Sequence, residues 1–157
     1  MFIRPYKSED AAAISALRWR AVQIIAPRAY TSEQIQAWLP EPDSLKKTRQ
    51  RCEDGRDVWV AVSATDDVAG VIDLENDGHI DTLYVDPDYA GKGIGFSLLM
   101  HVEQIAQERN LGQLYTEASE LAAPVFTRAG FSTTERRDFL LRGISIHNYA
   151  MQKALRL

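Results

Sequence analysis

The segment from Ile80 to Leu99 constrains the fold more than any other part of this chain. A run of strand character, Ile80-Asp-Thr-Leu-Tyr-Val85, is closed by Asp86-Pro87 and followed by Gly91-Lys-Gly-Ile-Gly95. Ile94, Leu98, Val102 and Ile105 then recur at helical spacing, so a long helix to about Arg109 starts inside the glycine cluster. Asn110 and Gly112 end it, and Leu114–Ala118 is the next strand. A strand feeding a helix and then a further strand predicts a right-handed parallel crossover. All-helical and purely antiparallel folds are excluded.

The earlier chain supplies the rest of the sheet. Phe2–Tyr6 reads as a short strand, and a helix capped by Ser8 carries Ile14, Leu17, Ala21 and Ile24 until Pro27 stops it. Thr31-Ser-Glu-Gln34 is a capping box, with Tyr30 and Ile35 placed to staple it, and this helix ends at Trp38-Leu39 before Pro40. Asp43 is the expected cap of a third helix to Cys52. Val58–Val62 and Val68–Leu74 form a hairpin around Asp66-Asp67. Together with the Ile80–Val85 strand they make an antiparallel meander. After the crossover come a helix over Leu121–Ala129, with Gly130 at its C′ position, and two closing strands around Arg142-Gly143. The expected class is mixed α/β, a meander plus one parallel strand–helix–strand unit, with helices on both faces. Clefts in such sheets form where the strand order changes, beyond the carboxyl ends of the strands. The glycine cluster lies at such an end.

Composition narrows the partners. The 157 residues predict one compact domain with its own core. Eighteen basic against 22 acidic side chains argues against nucleic acid as a ligand. No apolar run approaches the roughly 20 residues of a membrane helix, and the first residues lack a secretion signal. Cys52 is the single cysteine, which fits a reducing compartment, so a cytoplasmic location is expected. His79, His101 and His147 are scattered, no HExxH or CxxC spacing occurs, and no metal site is expected. Neither a GxSxG elbow nor a Walker motif is present.

Gly91, Gly93 and Gly95 let the backbone approach a ligand closely and accept positive φ. The helix start behind them adds free N–H groups and a positive dipole end, and Lys92 adds a mobile charge. Phosphate or pyrophosphate is the natural ligand. The spacing GxGxG differs from the GxGxxG of dinucleotide-binding loops.

The same residues resemble the acetyl-CoA motif of the GNAT N-acetyltransferase superfamily, a strand followed by Arg/Gln-x-x-Gly-x-Gly/Ala. Ala122-Ala-Pro-Val-Phe-Thr-Arg-Ala-Gly-Phe131 resembles that family's late helix and its "GF" strand. Tyr30–Pro40 and the tail from Leu141 to Lys153 resemble a subgroup of small bacterial members, the YafP type. The resemblance implies a single acetyltransferase domain over residues 1–157 and acetyl-CoA as cosubstrate. It implies that Leu83, Tyr84 and Val85 offer backbone groups to the pantetheine arm, with the Val85 N–H on the thioester carbonyl. It further implies that Gly91, Lys92, Gly93, Ile94, Gly95 and Phe96 cradle the pyrophosphate, with Ser97 adding a hydroxyl. Two positions depart from the pattern. Ala90 stands where the motif has Arg or Gln, and Phe126 stands where the family has a tyrosine that protonates the leaving thiolate.

Acetyl transfer to an amine needs a group that removes a proton. Asp81, on the strand face shared with Leu83 and Val85, and Glu117, at the end of the neighbouring strand, are the two candidates. Glu117 has the longer reach and is ranked first, with Asp81 fixing a water or the acceptor's ammonium. Tyr115, His147 and Tyr149 are candidates to replace the missing tyrosine. Trp38, more than the core-type Trp19, is placed to wall an acceptor pocket. The expected function is N-acetyl transfer to a small-molecule or peptide amine by direct attack, in a chain that can form a homodimer. A non-catalytic acyl-CoA sensor is the alternative that Phe126 favours, and a plain nucleotide-phosphate binder is a third.

Overall fold

Two four-stranded sheets carry the fold, and the computed structural model describes residues 1–156 of the chain. Strands β1 (Phe2–Pro5), β2 (Asp57–Val62), β3 (Val68–Leu74) and β5 (Leu83–Val85) lie side by side in that order, all antiparallel. The second sheet runs β4 (His79–Ile80), β6 (Gln113–Ala118), β8 (Ile144–Ala154), β7 (Ser132–Leu141). Its β4–β6 pair is parallel, the product of the crossover expected from the glycine segment. The helices are α1 (Ala11–Ile24), α2 (Ser32–Trp38), α3 (Leu45–Cys52), α4 (Ile94–Glu108) and α5 (Ala123–Arg128). Among the described residues no helix is long and apolar enough to cross a membrane.

Alternation along β2 and β3 gives the first sheet two apolar faces. Val58, Val60, Val62 and Val71 pack on Ile14 and Leu17 of α1. Trp59, Ala61, Ala69, Ile72 and Leu74 belong to the cluster holding Leu98, Leu99 and Val102 of α4. Helices therefore cover both faces, as the pattern required.

The expected strand Ile80–Val85 is not continuous. It breaks at Asp81-Thr82, and its two halves join different sheets. The cause is Asp73, only 2% exposed, whose Oδ1 accepts the N–H groups of both Asp81 and Thr82 at 2.8 Å. Two amides bound by one carboxylate are no longer available to a strand neighbour, so the chain steps from one sheet to the other. Arg56 Nη1, 2.8 Å from the other oxygen, balances the buried charge. No ladder joins β5 to β6, and a gap opens between them. Asp73→Ala leaves two amides without an acceptor, while Arg56 keeps Asp54, Glu75 and Asp81, and is expected to cost about 2–6 kcal/mol, the penalty for two unsatisfied amides, measured by urea unfolding. A loss below about 1 kcal/mol would show that water replaces the carboxylate.

Two helix caps differ from expectation. Asp10, not Ser8, accepts the Lys7 N–H at 2.8 Å, because Arg4 fixes its carboxylate over the first turn. Ser44, not Asp43, caps α3 through the Lys47 N–H at 3.1 Å, since Asp43 is engaged by Arg18 and Lys47. The Thr31–Gln34 capping box forms in both directions.

Candidate active site

Positive φ at Gly91 (+77°) and Gly93 (+78°) curls the chain so that successive amides face one side. Among the described residues, no N–H from Gly91 through Phe96 has a hydrogen-bond partner; the first helical bond of α4 is Ser97 N–H to Gly93 O at 3.0 Å. Six free donors gather at the positive end of a 15-residue helix, an arrangement suited to a negatively charged group.

These amides border a cavity of about 400 Å³ between α1, β5, the glycine loop and α5. Leu83, Tyr84, Val85, Gly91, Gly93, Ile94, Gly95 and Phe96 line it; Lys92 and Ser97 do not. Lys92 instead places its Nζ 5.5 Å from the Tyr89 ring centroid. On either side of β5, the Thr82 carbonyl accepts from Asp73 and the Asp86 N–H donates to Ala69, so by antiparallel alternation the Leu83 and Val85 groups point into the gap.

A second cavity of about 270 Å³ lies on the other side of β5 and holds both candidate carboxylates, Asp81 and Glu117, with Phe126. Trp38, Leu83, Tyr84, Ser119 and Ala122 line both cavities, which therefore meet at the gap. Tyr30 and Trp38 wall the smaller one with rings 5.6 Å apart, edge to face. Phe126 is 2% exposed and packs edge-on against Phe131, which explains an apolar ring at a position that borders the cleft.

The two carboxylates are not equivalent. Asp81 Oδ2 is shared by Arg51 and Arg56, two fixed positive charges. Among the described residues one side chain binds Glu117, that of His79, whose Nε2 lies 2.8 Å from Oε1. Burial alone would lower the His79 pKa; the Glu117 hydrogen bond and the charges of Glu117 and Glu75 outweigh it and hold the ring above its ordinary value. Of the other candidate acids, Tyr115 points away, its hydroxyl on Asp77. Tyr149 donates to Glu120 at 2.9 Å, and His147, on the wall of the smaller cavity, also bonds Glu120. Those two hydrogen bonds hold the Glu120 carboxyl below the usual range. Burial pushes the Cys52 thiol up to about 11, so it carries no thiolate near neutrality.

Two residues escaped the sequence reading. Arg128 lines the larger cavity, its guanidinium 4.5 Å from the Phe96 ring centroid; its only signal was a basic residue in the last turn of a short helix. His79 lies 38 residues before Glu117 and meets it only through the parallel β4–β6 pair.

Residues 27–153 match the model of the acetyltransferase (GNAT) domain. The chain belongs to the GNAT family. This GNAT protein is 31% identical over 150 residues to the uncharacterized N-acetyltransferase YafP of Escherichia coli (strain K12), covering 96% of this chain and 93% of that one. It is 35% identical over 81 residues to the peptidyl-lysine N-acetyltransferase YjaB of the same organism, about half of each chain (52% and 53%). Among solved structures, a GCN5-related N-acetyltransferase from Rhodopseudomonas palustris superposes with a TM-score of 0.89 at 31% identity, over 98% of this GNAT chain and 95% of that one.

Proposed function

We propose that this acyltransferase moves acetyl from acetyl-CoA to a primary amine by direct attack in a ternary complex, with Glu117 taking the amine's proton. One observation carries the reading: two cavities, one edged by the loop of free amides and the other holding Glu117, meet at a gap whose rim is unpaired strand backbone. The pyrophosphate fits the amides of Gly91, Lys92, Gly93, Ile94, Gly95 and Phe96, with Arg128 beside them. The pantetheine arm then extends β5 in the place of a missing strand, and the Val85 N–H polarises the thioester carbonyl. The amine enters the smaller cavity past Trp38 and Tyr30. Attack forms the N–C bond as the C–S bond breaks. The thiolate leaves without a phenol at position 126, its proton supplied by solvent. Cys52 offers no acyl-enzyme route. The acceptor belongs to the small-molecule or peptide amines, in keeping with relatives named for peptidyl-lysine and, over 60 residues at 33% identity, for glucosamine 6-phosphate in Trypanosoma brucei brucei.

The test is CoA release with a panel of amines, expected with matching N-acetyl product and intersecting initial-velocity lines. Acetyl-CoA binding without release for any amine would favour the sensor reading. Parallel lines would overturn direct attack. Asp81, held by two arginines, positions rather than accepts. Asp81→Asn is expected to raise the acceptor KM up to about fivefold, the worth of a partly exposed ion pair, and to leave kcat nearly unchanged. A large drop in kcat would transfer the base role to Asp81.

A further inference from the structure

A base that takes a proton in each turnover must lose it again while a bulky cosubstrate and product cover the cleft. Glu117 is 33% exposed, and among the described residues the only side chain bonded to it is His79. His79 has a second contact on its far side, Nδ1 to Glu75 Oε2 at 3.4 Å, and Glu75 is 34% exposed in the β3–β4 turn. The imidazole, 15% exposed, therefore stands between two carboxylates of nearly equal exposure, Glu117 on the cavity wall and Glu75 in the turn outside that wall. Its orientation is built in. The ring stacks on Tyr115 at 4.8 Å and 29°, the Tyr115 hydroxyl is anchored on Asp77, and Asp77 also accepts the His79 backbone N–H at 3.1 Å. Register explains the meeting: His79 pairs with Tyr115, and Glu117 is two residues further on the same face of β6, beyond the last parallel pair, Ile80–Thr116.

We propose that His79 is the proton outlet of the site, taking from Glu117 the proton removed from the acceptor amine and releasing it to solvent beside Glu75. The proposal rests on Glu117 being the base. In the ready state the ring is neutral and donates Nε2–H to the ionised Glu117, with the Nδ1 lone pair on the Glu75 side. As the amine attacks, its N–H bond breaks and Glu117 gains the proton. Tautomer exchange with solvent then moves the ring hydrogen to Nδ1, facing Glu75, and leaves the Nε2 lone pair facing the Glu117 O–H. That O–H bond breaks as Nε2–H forms, giving an imidazolium between two carboxylates. The cation loses its Nδ1 proton through Glu75 to water, which restores the ready ring. His79 acts through Glu117 and touches neither substrate, so it is a positioning residue that also carries the proton. The charged groups facing it are Glu117 on β6 and Glu75 and Asp77 in the turn, with Arg56 on the other oxygen of Glu75 at 3.5 Å. This predominantly negative surround raises the imidazole's proton affinity, so the neutral ready form develops only above the ordinary histidine range.

The test compares wild type, His79→Gln and Glu117→Gln at saturating acceptor. Glutamine keeps a donor toward Glu117 but cannot relay. In the wild type kcat is expected to rise with pH through a group titrating above about 6.5, and the His79 ring protons followed by NMR are expected to report the same group, with a lower pKa in Glu117→Gln. His79→Gln is expected to lower kcat by about tenfold or more, to lose that limb, and to recover rate as imidazole is added at fixed pH. Wild-type kcat with an unchanged limb in His79→Gln overturns the relay, as does a loss of rate that imidazole leaves untouched. Full activity in Glu117→Gln overturns the base reading itself. Inactive Glu117→Gln beside unaltered His79→Gln overturns the relay alone.

Discussion

Gly93→Val is expected to abolish the rise in melting temperature that acetyl-CoA gives the wild-type protein, while the protein alone stays folded. Gly93 sits at φ +78° as the residue before α4, and a Cβ there meets nothing within 4 Å. The substitution is therefore opposed by backbone conformation and not by a clash. A β-branched residue costs about 1–2 kcal/mol in the left-handed region, and the loop relieves it by turning its amides out of line. Losing two charge-assisted hydrogen bonds of about 1.5–3 kcal/mol each weakens acetyl-CoA by about 100-fold or more. Ligand-induced stabilisation falls with it, since that effect scales with the logarithm of ligand concentration over Kd. Differential scanning fluorimetry with and without acetyl-CoA checks this. An undiminished shift would place the pyrophosphate elsewhere.

Glu117→Gln is expected to lower kcat by about 100-fold or more, the usual worth of a positioned general base, with little change in acetyl-CoA binding. Glutamine preserves the shape and keeps an oxygen for His79, so the fold survives while the proton acceptor is gone. The remaining rate should lose its rise with pH. Stability supplies an independent check with a defined sign. The folded His79 pKa is raised, so the Glu117–His79 pair stabilises the native state fully below the unfolded histidine value, near 6.5, and loses that contribution as pH rises through the folded value. Glu117→Gln should therefore be less stable than wild type at pH 6 and close to it in the alkaline range. Full kcat in the variant would mean that Glu117 serves only to hold His79.

Residues that act through their immediate neighbours are legible in the sequence. The glycine spacing and the apolar period after it locate the loop of free amides, because positive φ and helix-start amides are properties of a few consecutive residues. The Thr31–Gln34 box is legible for the same reason, since both partners lie within one turn. Ser8 and Asp43 mislead because nearby arginines, Arg4 and Arg18, fix which carboxylate faces which helix end, and Arg18 lies 25 residues from Asp43.

What the sequence by itself determined was the class of fold, the crossover, the glycine loop at the start of α4 and the pair of carboxylates to consider. Each follows from periodicity or from conformational freedom within a short window. What only the tertiary structure decided was the difference between those carboxylates. Asp73 breaks a strand that alternation alone would continue, and so creates the gap that both cavities share. Arg51 and Arg56 converge on Asp81, while His79 reaches Glu117 across a two-residue parallel pairing. Electrostatic character at a site is the sum over charges brought together by the fold, and no local pattern encodes that sum.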